Sequence, residues 1–304
     1  MRTLAALVLT TTFVLGQEPA KPDTNPRQPA PKPEAPIEKP QMPWTGMVDE
    51  KQFKELHALK PDQAPKLNGE LVTVGGARHY LSIPRNMRPP FPSVLLVHEW
   101  WGLNDHIKHW ADRLAADGYV ALAVDLYGGK VATTSDDAMK LAKEAGSDVP
   151  KATAILREAF DFLAANKRVE AQKRAVLGWC FGGGMALQFA MAEPRLDATV
   201  IYYGRLIDDP KALETIHGPV LGIFGNQDPS IPPKSVDAFA AAMKTAGKTC
   251  DILRYDAEHA FANPSNARYD EANATKAWAA VRKFLEAQLK TAAKPKADES
   301  PAKK

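Results

Sequence analysis

The chain has 304 residues, of which 45% are hydrophobic and 25% charged, so it is long enough to form an enzyme-sized domain with a large core. Residues 1–43 carry five basic and four acidic side chains and residues 290–304 carry five and two. Of the net charge of +3, this leaves −1 for residues 44–289. A nucleic-acid-binding domain would show a basic surface on the fold itself, so we expect no nucleic-acid partner.

The N-terminal 43 residues are predicted to precede the folded domain. An apolar segment, residues 4–15, follows Arg2 and is too short to span a bilayer comfortably, and Gly16 is a small residue of the kind found at cleavage sites. Residues 1–16 are therefore predicted to be a secretory signal peptide, with an uncleaved anchor as the alternative. Residues 17–43 contain nine prolines and predict a disordered, extended linker. We expect an exported protein, periplasmic or extracellular, with no membrane span after cleavage.

Residues 44–289 are predicted to form one α/β domain. Val48–Lys60 predicts a short amphipathic helix without visible chemistry. Leu71–Val74 and His79–Ile83 flank two glycines and predict a hairpin at the edge of the sheet.

A continuous apolar run, Ser93–Val97, predicts a strand that is buried on both faces. The loop after it begins His98-Glu-Trp-Trp-Gly102. The backbone N–H of Trp100 is a candidate donor to an oxyanion. Glu99 is either a carboxylate near the reactive site or a loop residue that faces water.

The next elements are a helix over residues 105–117, a strand over 119–125 and a helix over 151–166. His106 and His109 have a spacing that metal ligands sometimes use. Without further ligands at fixed spacing, such a pair is more often part of a solvated helix face. We therefore predict no metal site and no cofactor.

The motif Gly178-Trp-Cys-Phe-Gly182 lies between a short predicted strand, Ala175–Leu177, and a predicted helix, Gly183–Met191. In a nucleophile elbow the reactive residue occupies a strained turn that requires small residues two positions away on either side. Both are glycine here, which makes Cys180 the candidate nucleophile. The N–H of Phe181, at the start of the helix, is the other candidate oxyanion donor.

Two further strands end in candidate catalytic groups. Pro219–Phe224 leads into a polar turn that contains Asp228, and the strand that begins at Cys250 leads to His259. The order nucleophile, acid, base is the one expected of α/β hydrolases, so Cys180, Asp228 and His259 are predicted to act together. Cys250 is a strand residue, and we expect no disulfide.

The remaining predicted elements complete an alternation of strands and helices. They are a strand over residues 198–203, a helix over 233–246 and a helix over 271–289, and residues 290–304 are predicted to be a disordered, lysine- and alanine-rich tail. Alternation of this kind favours a mostly parallel sheet with helices on both faces.

Six segments together resemble the dienelactone hydrolase (carboxymethylenebutenolidase) family of the α/β-hydrolase superfamily. They lie in order between about Gly69 and Gln288: His98–Gly102, Asp125–Tyr127, Gly178–Gly183, Tyr202–Gly204, Gly225–Asp228 and His259–Ala262. The resemblance implies the α/β-hydrolase fold, hydrolysis of an enol lactone or ester by a Cys-His-Asp triad, and no cofactor. It also implies that Glu99 helps to activate a thiol that stays largely neutral until substrate binds.

The chain departs from this family at one position that bears on the substrate. Family members carry an arginine after the His-Ala-Phe-Ala motif that helps to hold the substrate carboxylate, whereas this chain has Asn263. Arg205 and Arg268 are possible substitutes. The aromatic residues that flank the site are compatible with a pocket wall or with core packing, and we assign three of them to the pocket: Trp101, Tyr202 and Phe261.

The sequence therefore predicts a hydrolase that cleaves small enol-lactone or carboxylic esters through a cysteine thioester. Two alternatives are a general carboxylesterase with a different substrate range and a non-catalytic binding protein on the same fold.

Overall fold

The computed structural model of the chain describes residues 48–58 and 66–290. The predictions for residues 1–43 and 291–304 lie outside these residues. Within them, no helix combines the length and the apolar character that are needed to cross a bilayer.

An eight-stranded sheet forms the centre of the domain, with the strand order β1-β2-β4-β3-β5-β6-β7-β8. β2 is antiparallel to both of its neighbours, and all other pairs are parallel. The predicted hairpin is thus at the sheet edge, as β1 and β2. The strands are β1 Glu70–Val74, β2 Ala77–Ser82, β3 Ser93–Val97, β4 Val120–Val124, β5 Arg174–Trp179, β6 Ala198–Tyr202, β7 Val220–Gly225 and β8 Cys250–Tyr255.

Helices cover both faces of the sheet. They are α1 Glu50–Ala58, α2 Asp105–Ala116, α3 Ser135–Ser147, α4 Val149–Ala165, α5 Phe181–Ala192, α6 Pro210–Leu213, α7 Pro233–Thr245 and α8 Glu271–Leu285, which continues into a π-helical turn, Glu286–Lys290. The fold is therefore the predicted α/β-hydrolase class.

Alternate side chains of the central strands enter two separate hydrophobic cores. In β3, Val94 and Leu96 pack on the face that carries α1, α2 and α8. Leu95 and Val97 pack on the opposite face with α4, α5 and α7. Because successive strand residues point to opposite faces, a strand that is buried on both sides is apolar throughout.

Two helices were not predicted, and the longer one, α3, lies next to the site described below. Thr134 caps α3 by accepting a hydrogen bond from the N–H of Asp137 at 3.2 Å. Only Ala138 is fully buried among its residues, but Leu141, Ala142 and Ala145 also pack against the core, and these four residues have helical spacing. The other unpredicted helix, α6, has four residues.

The histidine pair of α2 does not lie on a solvated face, and that prediction is wrong. His106 and His109 are only 7% and 5% exposed. The Trp110 indole N–H donates to Nε2 of His106 at 3.3 Å, beneath the buried ring of Phe53. The helix α1 covers this part of α2, so the face that was expected to be exposed is buried.

Candidate active site

Cys180 lies in a strained turn between β5 and α5. Its φ of 53° is in the left-handed region, and it forms the N-cap of α5. A Cβ atom on Gly178 would lie 2.0 Å from the carbonyl oxygen of Gly182, and one on Gly182 would lie 2.1 Å from the carbonyl oxygen of Val97. Both flanking positions therefore exclude any side chain, which is the steric condition for a nucleophile elbow.

Asp228 and His259 meet beside this turn. The Nδ1–H of His259 donates to Oδ2 of Asp228 at 2.6 Å. The other carboxylate oxygen, Oδ1, accepts the backbone N–H groups of Ser230 and Ile231 at 2.8 and 3.1 Å. His259 and Cys180 line the same cavity, and Cys180 is close enough to raise the pKa of the imidazole. The structure thus brings the three predicted residues together, with Asp228 and His259 hydrogen-bonded and Cys180 beside His259 in the same cavity.

The charges of this group support an imidazolium at His259. Burial disfavours that form, but the hydrogen bond to Asp228, the charge of that carboxylate and the neighbouring Cys180 raise the pKa of His259 to about 10. Burial would raise the pKa of Asp228, yet the hydrogen bond and charge of His259 and the two backbone donors lower it. Asp228 is therefore an ionised acceptor that holds the ring in one orientation.

Glu99 is not a water-facing loop residue, since it is only 4% exposed. Its Oε2 accepts a hydrogen bond from the Asn263 side-chain amide at 2.6 Å, and its Oε1 accepts one from the Tyr203 hydroxyl at 3.4 Å. Burial raises the pKa of Glu99 to about 7, although Asn263, His259 and Tyr203 act in the opposite direction. The side chain therefore exchanges its proton near neutral pH, and it lines the same cavity as Cys180.

Asn263, the position at which the chain departs from the family pattern, is a fixed partner of Glu99. Its Oδ1 accepts the N–H of Ser265 at 2.8 Å, which orients the Nδ2 amide toward the carboxylate. The residue is 4% exposed and uncharged. A neutral donor holds Glu99 in place without supplying a positive charge for it or for a substrate carboxylate.

His98 supports the loop that carries Glu99, a role that the sequence did not reveal. The N–H of Leu126 donates to Nε2 of His98 at 3.2 Å, so the ring proton is on Nδ1 and donates to the Glu99 carbonyl at 2.6 Å. Burial lowers the pKa of His98, which favours this neutral form. Its ring stacks on Phe181 at a centroid distance of 6.0 Å and so links the loop to the elbow.

The two residues whose N–H groups were assigned to the oxyanion, Trp100 and Phe181, both line the cavity around Cys180. Phe181 is the first residue of α5, and the first N–H groups of a helix have no partner within it. Trp101 and Arg205, two of the predicted pocket residues, also line the cavity. The second candidate arginine, Arg268, lines it too, with an ion pair to Glu258 at 3.2 Å.

Two predicted pocket residues do not line the cavity. Tyr202 is the last residue of β6, and its ring lies in the core against Trp179, while Phe261 is fully buried against Tyr255. Tyr203 lines the cavity instead. It follows the end of β6 with a φ of 37°, so its ring leaves the alternation of the strand and reaches Glu99 and His259.

Among the residues that the structure describes, no group of three or more histidine, cysteine, aspartate or glutamate side chains is arranged to hold a metal ion. Cys180 and Cys250 are both free thiols.

Comparison with known proteins gives a consistent result. The model of the dienelactone hydrolase family matches residues 77–289. The chain belongs to the dienelactone hydrolase family. A Saccharolobus solfataricus protein named "Putative carboxymethylenebutenolidase" is 32% identical over 248 residues, 68% of this chain and 93% of that protein. A protein of the same name from Methylorubrum extorquens is 36% identical over 57% of this chain, and the match spans 64% of that relative.

Solved structures of dienelactone hydrolase relatives share the fold. A Klebsiella pneumoniae protein titled "Putative Dienelactone Hydrolase" has a TM-score of 0.64 and 28% identity, over 71% of this chain and 96% of that one. A dienelactone hydrolase-like promiscuous phosphotriesterase from metagenomic libraries has a TM-score of 0.67 and 25% identity, over 73% and 98% of the two chains. Family membership identifies a hydrolase of small-molecule substrates.

Proposed function

We propose that this dienelactone hydrolase relative cleaves carboxylic esters or small enol lactones through a thioester on Cys180. The observation that carries the proposal is the hydrogen-bonded pair Asp228–His259 in one cavity with Cys180, which lies at a turn whose flanking glycines have no room for a side chain. A nucleophile, a proton carrier and a group that orients the carrier are the parts that acyl transfer requires.

The reaction begins when the Glu99 carboxylate takes the thiol proton of Cys180 and Sγ attacks the carbonyl carbon of the ester, whose carbonyl oxygen becomes negative. The N–H groups of Trp100 and Phe181 stabilise that oxygen. The imidazolium of His259 protonates the departing alcohol or enol oxygen as the C–O bond breaks, which leaves a thioester and a neutral ring. Water then attacks the thioester with His259 as base, the C–S bond breaks, and the sulfur takes its proton back from Glu99 as the acid product leaves.

The proposal assigns Glu99 to the activation of Cys180. A carboxylate whose pKa is about 7 disfavours a neighbouring thiolate when it is ionised and accepts a proton once substrate rearranges the site. On this proposal, iodoacetamide alkylates Cys180 slowly in the free enzyme. In Glu99→Gln, we expect iodoacetamide to alkylate Cys180 faster and ester hydrolysis to be slower. Wild-type values of both rates would show that Glu99 is only a structural residue of the loop.

The decisive experiment combines Cys180→Ala with detection of the intermediate. We expect Cys180→Ala to lose turnover of p-nitrophenyl acetate by at least about 10³-fold, since the nucleophile is absent. Rapid acid quenching of the wild type during turnover, followed by mass spectrometry, is expected to show one acetyl group on the Cys180 peptide. A wild type that hydrolyses no member of a broad ester panel would instead favour a binding protein on this fold.

A general carboxylesterase is the second candidate function, and Asn263 is the observation that favours it. With a neutral amide beside Glu99, a substrate carboxylate has no adjacent cation at this position. Comparing kcat/KM for a dienelactone and for simple aryl esters separates the two substrate ranges. Preference for the dienelactone by more than tenfold would contradict the carboxylesterase assignment.

The proposal includes export with removal of residues 1–16, which rests on the composition of that segment. N-terminal sequencing of the protein recovered from expressing cells is the test. Detection of Met1 on the mature protein would count against cleavage.

A further inference from the structure

The cavity above Cys180 is larger than a small lactone requires. Its volume is about 1270 Å³. Pockets that hold drug-sized ligands usually measure roughly 300–1,000 Å³. An acetyl ester or a five-membered lactone would leave most of this space filled with water.

The larger aliphatic side chains of the cavity are concentrated at one end. Near His259 the lining consists of Ser230, Ile231, Asn266 and Arg268, together with two alanines, Ala260 and Ala267. Lys143, Ser147, Gln188 and Arg205 line the end beside Phe181, but this end also holds most of the larger aliphatic side chains of the cavity, which continue the core of α4, α5 and α7, and we call it the apolar arm. Its apolar lining residues are Ala142, Val149, Phe181, Met185, Leu206 and Ile207.

The proposed reaction determines which half of a substrate meets each end. The leaving oxygen must face His259, which protonates it, so the alcohol half lies toward the end near His259. The carbonyl oxygen lies at the N–H of Phe181, and the ring of the same residue lines the apolar arm. The acyl chain leaves the same carbon in the remaining direction, away from the leaving oxygen and His259, and we place it in the apolar arm.

Resting on the proposed function, we infer that the enzyme's substrates are esters with a medium-length apolar acyl chain, of about six to eight carbons, bound in the apolar arm between α3 and the loop 205–207. Each methylene that leaves water for an apolar site contributes up to about 0.8 kcal/mol, which corresponds to about a fourfold increase in kcat/KM. A chain that is only partly enclosed gains about twofold for each methylene.

Gly146 provides a test that does not disturb the fold. It lies near the C-terminal end of α3, is exposed and lines the cavity. A Cβ atom there would be 3.7 Å from Cε2 of Phe181, an ordinary contact. Leucine is a better helix former than glycine, so Gly146→Leu adds bulk to the arm and favours α3 at the same time. Glu144→Leu, at an exposed position of α3 outside the cavity lining, is the matched control.

The experiment measures kcat/KM for p-nitrophenyl acetate, butyrate, hexanoate and octanoate. In the wild type we expect a rise of two- to fourfold for each added methylene up to hexanoate. Gly146→Leu is expected to lower kcat/KM for octanoate at least tenfold and to leave acetate within twofold. Glu144→Leu is expected to match the wild type for all four esters. A wild-type series that is flat or falls with chain length overturns the inference, as does an equal loss for all esters in Gly146→Leu.

A binding measurement separates this inference from the proposed hydrolysis. Calorimetric titration of the Cys180→Ala variant with p-nitrophenyl octanoate is expected to show binding. Adding Gly146→Leu to that variant is expected to raise the Kd at least tenfold. If no ester is turned over but this binding is observed, the hydrolysis proposal is wrong, and binding of the acyl chain in the apolar arm is supported. If acetate is turned over but octanoate neither binds more tightly nor reacts faster than acetate, binding of the acyl chain in the arm is contradicted, and the hydrolysis proposal is retained.

Discussion

The catalytic side of the cavity and its outer wall are built in different ways. On the catalytic side, backbone atoms contact Gly178 and Gly182 so closely that no Cβ fits, and every carboxylate oxygen of Asp228 and Glu99 has a hydrogen-bond donor. The outer wall, which we define as α3 and the loop 205–208, has one fully buried residue in α3. Many contacts therefore determine the positions of the catalytic groups. Substitutions in the outer wall are expected to change which substrates fit without changing the reaction.

The largest expected effect comes from Asp228→Asn, on the catalytic side. Because Ser230 and Ile231 donate to Oδ1, the asparagine oxygen stays there and its NH₂ group faces His259. Nδ1 of the ring must then accept, which moves the ring proton to Nε2, the wrong tautomer for a base. We expect kcat/KM for an aryl acetate to fall about 10³- to 10⁴-fold. A loss below tenfold, in a protein with unchanged melting temperature, would show that Asp228 does not orient the ring.

The second effect, on stability, concerns Glu99. Its pKa is about 7 in the folded protein against an ordinary value of 4.5, so the folded state holds a proton that the unfolded chain releases. The free energy of unfolding should therefore fall as pH rises from about 4.5 to above 7. We expect the wild type to lose about 3 kcal/mol more over this interval than Glu99→Gln, by urea unfolding at pH 4.5 and 8. Parallel curves for the two proteins would contradict a buried, titrating Glu99.

A smaller effect is expected from Asn263→Leu, which removes the 2.6 Å hydrogen bond to Glu99. Loss of a donor to the carboxylate raises its pKa further, so the pH at which Glu99 ionises should move upward. We expect a destabilisation of about 1–3 kcal/mol and an upward shift in the pH profile of kcat/KM. In a Glu99→Gln background the same substitution should leave the profile where it was. A shift that persists there would mean that Asn263 acts on another group.

The smallest effect is expected on the outer wall. Lys143 is exposed, lines the cavity and has no ion pair among the described residues. Lys143→Ala should change the free energy of unfolding by less than about 0.5 kcal/mol and kcat/KM for acetate by less than twofold. A large loss of acetate turnover would show that the outer wall also contributes to the reaction, contrary to the distinction drawn between the two sides of the cavity.

The elements that sequence analysis located correctly are those whose signal is local. The elbow was recognisable because a steric rule ties two glycines to Cys180, and the strands because burial on both faces makes them apolar throughout. Where the signal depends on a distant neighbour, prediction failed. His106 was predicted to be solvated because nothing in the sequence of α2 shows that α1 covers it. The helix α3 is a different case, since the N-cap Thr134 and the helical spacing of Ala138, Leu141, Ala142 and Ala145 are local signals that the prediction did not use.

By itself the sequence determined the family, the fold class and the order of Cys180, Asp228 and His259 along the chain, because glycine spacing and strand hydrophobicity are properties of short segments. Only the tertiary structure decided that Asn263 and Tyr203 hold Glu99, that Tyr202 and Phe261 belong to the core, and that α3 faces Phe181. These contacts join residues that are far apart in the chain or lie where a strand ends. Their geometry depends on how the elements pack, which no short segment contains.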